Sequence, residues 1–250
     1  MFSALNSNDR WHEHFNIPYE GATLGIVVAM ITIGYIVGSF IAGPASDRWG
    51  RRVGMLIGSI IVVLGAVLMA AGPNRGTFMG GRFLIGVGAS VCSASAAAWV
   101  AESSPPKWRG PTTYLFNSLY LPGAILSSGI ANGTGPLTSD WSWRIPVIVQ
   151  IAPSMLVVIF VMLLPESPRW LILNDRVEEA TEFVATYHAG GDANAPVVAL
   201  QILEMRQAID QDASDKRWYD YSEFINTRAN RWRLFQVVSM AFTGTCCRRR

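Results

Sequence analysis

The side chains of this chain that can do chemistry gather in three short stretches. They are Gly43-Pro44-Ala45-Ser46-Asp47-Arg48-Trp49-Gly50-Arg51-Arg52, Ala101-Glu102-Ser103-Ser104-Pro105-Pro106-Lys107-Trp108-Arg109-Gly110 and Pro165-Glu166-Ser167-Pro168-Arg169-Trp170-Leu171. Carboxylates set beside arginines do the chemistry of charge-assisted hydrogen bonding, in which a guanidinium fork grips a carboxylate or a carboxylate accepts from the amides of a helix end. Asp47 can do either, and the glycines around it let two helix ends approach and turn sharply. No stretch holds a nucleophile with its base, a metal cluster or a phosphate-cradling loop, so the sequence gives an enzyme no support and requires no cofactor. His12-Glu13-His14 offers two nitrogens to a metal but no third ligand nearby, and is read as part of a solvated loop. Cys92 lies in an apolar run and Cys246 with Cys247 near the end, which is neither a disulfide framework nor metal-ligand spacing.

The charged stretches are joints between apolar runs. Half of the 250 residues are hydrophobic and 15% are charged, against a charged share of about 25% in soluble domains. This is the composition of a membrane protein. The net charge of +2 is scattered over short connections and forms no basic stripe, which argues against a nucleic-acid partner. About 20 apolar residues cross the hydrocarbon core, and five such runs lie within residues 21–165, at about 22–42, 53–72, 77–100, 112–131 and 145–164. Gly34 with Gly38, and Gly54 with Gly58, stand four apart and present faces on which a neighbouring helix packs closely. Arginine bias in a short connection marks the cytoplasmic side, so 43–52 is expected inside and Pro73 to Gly76 outside. The expectation for 1–20 is a polar extracellular segment, with no apolar stretch that would make a cleavable signal peptide.

Polar groups inside the runs have two readings. Arg82 in the third span is either functional or snorkels to the helix end. Asn117 in the fourth and Gln150 in the fifth either bond a neighbouring helix or line an aqueous pathway. Beyond the spans, Ala180, Phe183, Val184 and Tyr187, then Val198, Ile202, Met205 and Ile209, repeat at helical spacing on either side of Gly190-Gly191-Asp192. Two amphipathic helices are therefore predicted in 166–231. Residues 232–250 begin like a further helix too short to cross and end in a basic tail.

The three charged stretches carry a resemblance. Gly43-x-x-x-Asp47-Arg48-x-Gly50-Arg51-Arg52 resembles the signature loop between the second and third helices of major facilitator superfamily transporters. Glu102, a proline, then Arg109-Gly110 resembles the loop after the fourth helix in the sugar porter branch. Pro165-Glu166-Ser167-Pro168-Arg169 resembles the motif that ends the sixth helix of sugar porters, and Trp143-Arg144-Ile145-Pro146 fits its start. The detailed pattern is similar to that of fungal hexose or disaccharide transporters.

The resemblance implies an all-α membrane protein with a partial major facilitator fold, corresponding to helices two to six of the N-terminal half-bundle, plus an intracellular helical segment at 166–231. It implies multi-pass insertion in a lipid bilayer, with the plasma membrane as the family-level expectation, and transport of a sugar by alternating access. Asn117 falls where the family has a sugar-contacting amide, with Gln150 as a second candidate. Asp47, Arg48, Arg51, Arg52, Arg82, Glu102, Arg109, Glu166 and Arg169 would make a cytoplasmic gate, an ion-pair network that closes the inner side. Proton coupling is left open, because no span contains a carboxylate and the family's coupling acid lies on a helix before the match begins. The chain is expected to be an incomplete transporter. A non-transporting sugar sensor, or a regulatory partner of a full-length transporter, is the alternative.

Overall fold

The computed structural model of the chain describes residues 8–19, 21–137 and 139–213, with 230–233, 235–236 and 239 near the C-terminus. Its elements are helices. A short α1 (Asp9–Phe15) precedes three long rods, α2 (Ala22–Trp49), α3 (Arg51–Ala71) and α4 (Arg75–Ser103). Two broken rods follow: α5 (Arg109–Ser118) with α6 (Tyr120–Thr134), and α7 (Trp141–Val149) with α8 (Ile151–Phe160), the latter closing in a 3₁₀ turn at Val161–Leu163. The helices α9 (Pro168–Leu173), α10 (Val177–His188) and α11 (Pro196–Ala213) complete the described chain. Two units divide it, Met1–Met205 and Arg206–Arg250, and everything below concerns the first.

Small residues set the packing of the long rods. A Cβ added at Gly38 would stand 2.7 Å from the Val87 carbonyl oxygen, so α2 crosses α4 nearly backbone to backbone. On the other side of α4, Gly58 and Gly88 face each other across α3 in the same way, with added Cβ atoms 2.7 and 2.6 Å from the partner's carbonyl oxygen. The expected small-residue seams are thus both made, and α4 is the shared partner. Dispersion between close backbones is what holds helices together where lipid removes the hydrophobic drive.

Proline explains the breaks. Pro122 has no N–H to give the carbonyl four residues back, Ser118, and its ring crowds that carbonyl; α5 ends at Ser118. Pro153 stands in the same relation to Val149, where α7 ends. Pro44, by contrast, stays inside α2 without ending it. Among the described residues, four helices or broken rods are long and apolar enough to cross a membrane: Ala22–Trp49, Arg51–Ala71, Arg75–Ser103 and Trp141–Leu163. The predicted fourth span, 112–131, is the one that falls outside that group: α7 and α8 are as short singly but join into one apolar stretch, whereas α5 brings Thr112, Thr113, Asn117 and Ser118 into the rod. The αR backbone of Leu119 nevertheless carries α5 into α6, the Leu119 amide donating a hydrogen bond to the Leu115 carbonyl and the Gly123 amide to the Leu119 carbonyl. No residue of α5, α6 or α8 is buried, and large apolar side chains such as Leu119, Ile125 and Ile159 stand exposed.

Three further expectations are corrected. The stretch 43–52 is not a loop: α2 runs to Trp49 and α3 starts at Arg51, leaving Gly50 alone as the turn at φ 95°. Only glycine adopts that conformation without a Cβ clash, so one residue reverses the chain. Nor is the described part of the N-terminal segment, residues 8–19, solvated throughout. Trp11 is 0% exposed and Phe15 4%, packed with Phe78, Trp143 and Met69 in the main apolar cluster. Its two histidines each have a partner, His12 through Nδ1 to the Ile17 carbonyl at 2.9 Å and His14 through Nδ1 to Asp140 at 3.5 Å. In the predicted amphipathic pair, Phe183, Val184 and Val198 do form a core with Ile202 and Met205, but Tyr187 is exposed. The tail 232–250 lies largely outside the described residues.

Candidate functional site

The ends of α2, α3, α4 and the 3₁₀ turn meet at one place, and the side chains there are polar. Arg51 opens α3 and is buried. Its Nε donates to Oε2 of Glu102 and its Nη2 to Oε1, both at 3.0 Å, a two-pronged fork on a carboxylate from the last turn of α4. Its Nη1 reaches back to α2, donating to the Ser46 carbonyl and pairing with Asp47, each at 3.1 Å. One guanidinium therefore ties three helices. The Ser167 hydroxyl donates a short hydrogen bond to the same Glu102 oxygen, bringing in the segment before α9. With the Arg51 and Glu102 side chains only 7% and 15% exposed, the pair sits in a dry place where removing one partner strands the other charge.

Glu166 acts differently. Its Oε1 accepts from the backbone amides of Arg51 at 3.1 Å, Arg52 at 3.3 Å and Ser167 at 3.0 Å. The first amides of a helix have no intrahelical partner and carry the positive end of the macrodipole. Gly50, the cap residue, has no side chain to fill the role, so a carboxylate from 115 residues further on fills it. The fit is close: a Cβ on Gly50 would stand 2.6 Å from Oε2 of Glu166. Two tryptophans complete the junction, Trp170 donating from Nε1 to the Asp47 carbonyl and Trp99 from Nε1 to the Pro165 carbonyl, both at 3.0 Å.

Between the rods lies a cavity of about 730 Å³. Gln150 lines it with Tyr35, Phe116, Tyr120, Ser93 and Ser154. Amide and hydroxyl groups beside aromatic faces suit a neutral, hydroxyl-rich ligand. Arg82 also lines it and is the one charged residue in its wall among the described residues. Asn117 does not line it; exposed on α5, it donates from Nδ2 to the Thr113 carbonyl of its own helix at 3.0 Å. At the far end of the bundle, the Tyr19 hydroxyl donates to Asp9 at 3.0 Å, which pushes that phenol above its ordinary pKa.

Residues 2–247 match the family described as sugar (and other) transporter. The chain belongs to that family. It is 31% identical over 216 residues to a high-affinity glucose transporter of Kluyveromyces lactis, which takes in 86% of this chain and 39% of that protein. It is 32% identical over 191 residues to a probable inositol transporter 2 of Arabidopsis thaliana, or 76% of this chain and 33% of that one. The chain thus spans well under half the length of these curated relatives. Among solved structures, the xylose transporter XylE from E. coli, in a partially occluded inward-open conformation, superposes with a TM-score of 0.73 over 84% of this chain and 55% of that chain. At 20% identity this likeness concerns the fold. The fold is the expected one, an all-α membrane protein with part of the major facilitator architecture.

Within this family member the structure sorts the nine charged candidates. Asp47, Arg51 and Glu102 are joined by ion pairs, and Glu166 joins them through amides, where ion pairing was expected. Arg52 contributes its amide to Glu166 and a guanidinium hydrogen bond to the Met162 carbonyl. Arg48 is exposed, Arg109 is exposed in the first turn of α5, and Arg169 is half-buried in α9. Arg82 is the misplaced one. It stands on α4 twenty residues before Glu102, about 30 Å away at 1.5 Å per residue, and belongs to the cavity and not to the junction. Sequence reasoning missed Ser167 and Trp170. The signal that could have found them is that both flank acids and bases already singled out.

Proposed function

We propose that the protein carries a sugar through a membrane by alternating access, as the glucose and inositol transporters it resembles are named for doing. The observation that carries this reading is the junction of Arg51, Glu102 and Glu166. It fastens the ends of four elements by hydrogen bonds that are satisfied in one arrangement and broken together if the rods move apart. A few such bonds bias two states separated by a few kcal/mol, which is what a gate needs. Gln150 in the cavity wall is the preferred sugar contact, and Asn117 joins it only when its amide turns away from Thr113. The junction end faces the cytoplasm in this reading, with α9 to α11 on the same side, the 1–20 segment outside, and the plasma membrane as the location. The protein transports and catalyses no reaction. No carboxylate lines the cavity among the described residues, so an acid that couples transport to protons would come from elsewhere.

The test is uptake of radiolabelled glucose by yeast cells stripped of their own hexose carriers and expressing the protein, with its membrane abundance measured in parallel. Saturable uptake that glucose or xylose competes, lost in Glu102→Gln, is expected. Binding of sugar without uptake, at normal membrane abundance, supports the sensor alternative and overturns transport.

A further inference from the structure

The junction closes one end of the bundle, and a different device closes the other. The helix α1 lies across the outer ends of the rods, away from the junction, with its apolar face down. Trp11 packs its ring 5.6 Å from Phe78, and Phe15 stands 4.9 Å from Phe78 and 5.3 Å from Trp143. Met69 and Ile85 belong to the same cluster and also line the 730 Å³ cavity, so the aromatic seal sits directly on the end of that cavity.

We propose that α1 is a hinged stopper that must lift for the cavity to open at this end, and that Trp11 is the residue that seats it. The proposal rests on the reading of the cavity as a transport pathway. Beside the rings, polar contacts fasten it at the rim. Arg75 donates from Nη2 to the carbonyls of Phe15 and Asn16 at 3.3 and 2.8 Å, a cation at a helix C-terminus. His14 meets Asp140 at 3.5 Å, and the Ser142 hydroxyl donates to the Asn8 side-chain oxygen at 3.3 Å. Left-handed Asn16, at φ 48°, ends the helix before α2. The closed state also carries a cost. The buried Trp143 Nε1 and His14 Nε2 have no hydrogen-bond partner among the described residues, and lifting α1 would give both to water. Ring packing and the rim contacts favour the closed state while the two nitrogens favour the open one, which is the balance a two-state lid requires.

Cys92 provides a reporter, because it lines the cavity and the other two cysteines, Cys246 and Cys247, can be replaced by serine. The protein, set in lipid nanodiscs so that water-soluble reagents enter only from the ends, is labelled with a charged methanethiosulfonate and the rate at Cys92 is followed by mass. Access scales with the open fraction of the lid, so Trp11→Ala should speed labelling at least about fivefold. A second variant, Asn8→Cys with Ser142→Cys, places a disulfide across two side chains already in contact. The oxidised, mass-verified species should label more slowly than wild type and recover on reduction. A Cys92 rate unchanged by both variants overturns the stopper. Because no sugar is involved, loss of uptake in the earlier test would sink the transport reading while leaving this result standing.

Discussion

The two ends of the bundle are closed by opposite means. At one, Arg51 and Glu102 make a directional polar clasp in which each side-chain nitrogen of Arg51 has its acceptor. At the other, Trp11, Phe15, Phe78 and Trp143 make a seal that depends on shape and leaves Trp143 Nε1 and His14 Nε2 without partners among the described residues. A satisfied polar network in a dry site fails as a unit, because the group left behind is charged and buried. An apolar seal loosens in proportion to the surface removed, and locally. The first suits a switch between two defined arrangements, the second a lid that breathes.

The largest expected effect breaks the clasp. Glu102→Gln leaves Arg51 buried without its carboxylate and should lower stability by about 3–5 kcal/mol, read as a fall in unfolding midpoint of the purified protein. The double variant Arg51→Met with Glu102→Leu should recover at least about half of that loss; no recovery would mean the charges are not the issue. Next comes Trp11→Ala, which empties a fully buried ring site for about 3 kcal/mol. Its loss should appear as faster hydrogen exchange confined to α1, with the amides of the α3–α4 seam unchanged. Global loosening would erase the contrast between the ends. Gly50→Ala forces a Cβ into a φ of 95° against Glu166, and should cost about 1–3 kcal/mol for the backbone alone, visible in the same unfolding experiment. Smallest is Asp47→Ala, within about 1 kcal/mol, because the Asp47 side chain is 71% exposed beside an Arg51 already held by Glu102. A loss as large as that of Glu102→Gln would mean the clasp is centred on the wrong carboxylate.

Much of the architecture was legible in local pattern. The apolar runs, the small-residue seams at Gly38 and Gly58, and the apolar stripes of α10 and α11 follow from periodicity and side-chain size. Pro122 and Pro153 also carried the information for the two breaks, since the lost bond always falls four residues back. The site was legible in residue type and not in partnership. Arg51, Glu102 and Glu166 were singled out as charges, yet Glu166 answers to backbone amides at the start of α3. That follows from the cap residue being a glycine and from the turn that brings a carboxylate 115 residues away onto it. Arg82 was grouped with the junction by charge, and the length of α4 put it at the cavity. The segment at 1–20 looked polar by composition because its two ring anchors, Trp11 and Phe15, are too few and too close to the histidines to form an apolar run.

What the sequence determined by itself is which stretches are helices and which faces are small enough to touch, because helical periodicity, proline and glycine act within a few residues. What only the tertiary structure decided is who meets whom: Glu166 on the α3 amides, Ser167 on Glu102, Trp11 on Phe78. Those contacts join residues up to 115 positions apart, and their geometry depends on rod length and crossing, which no local window of the chain contains.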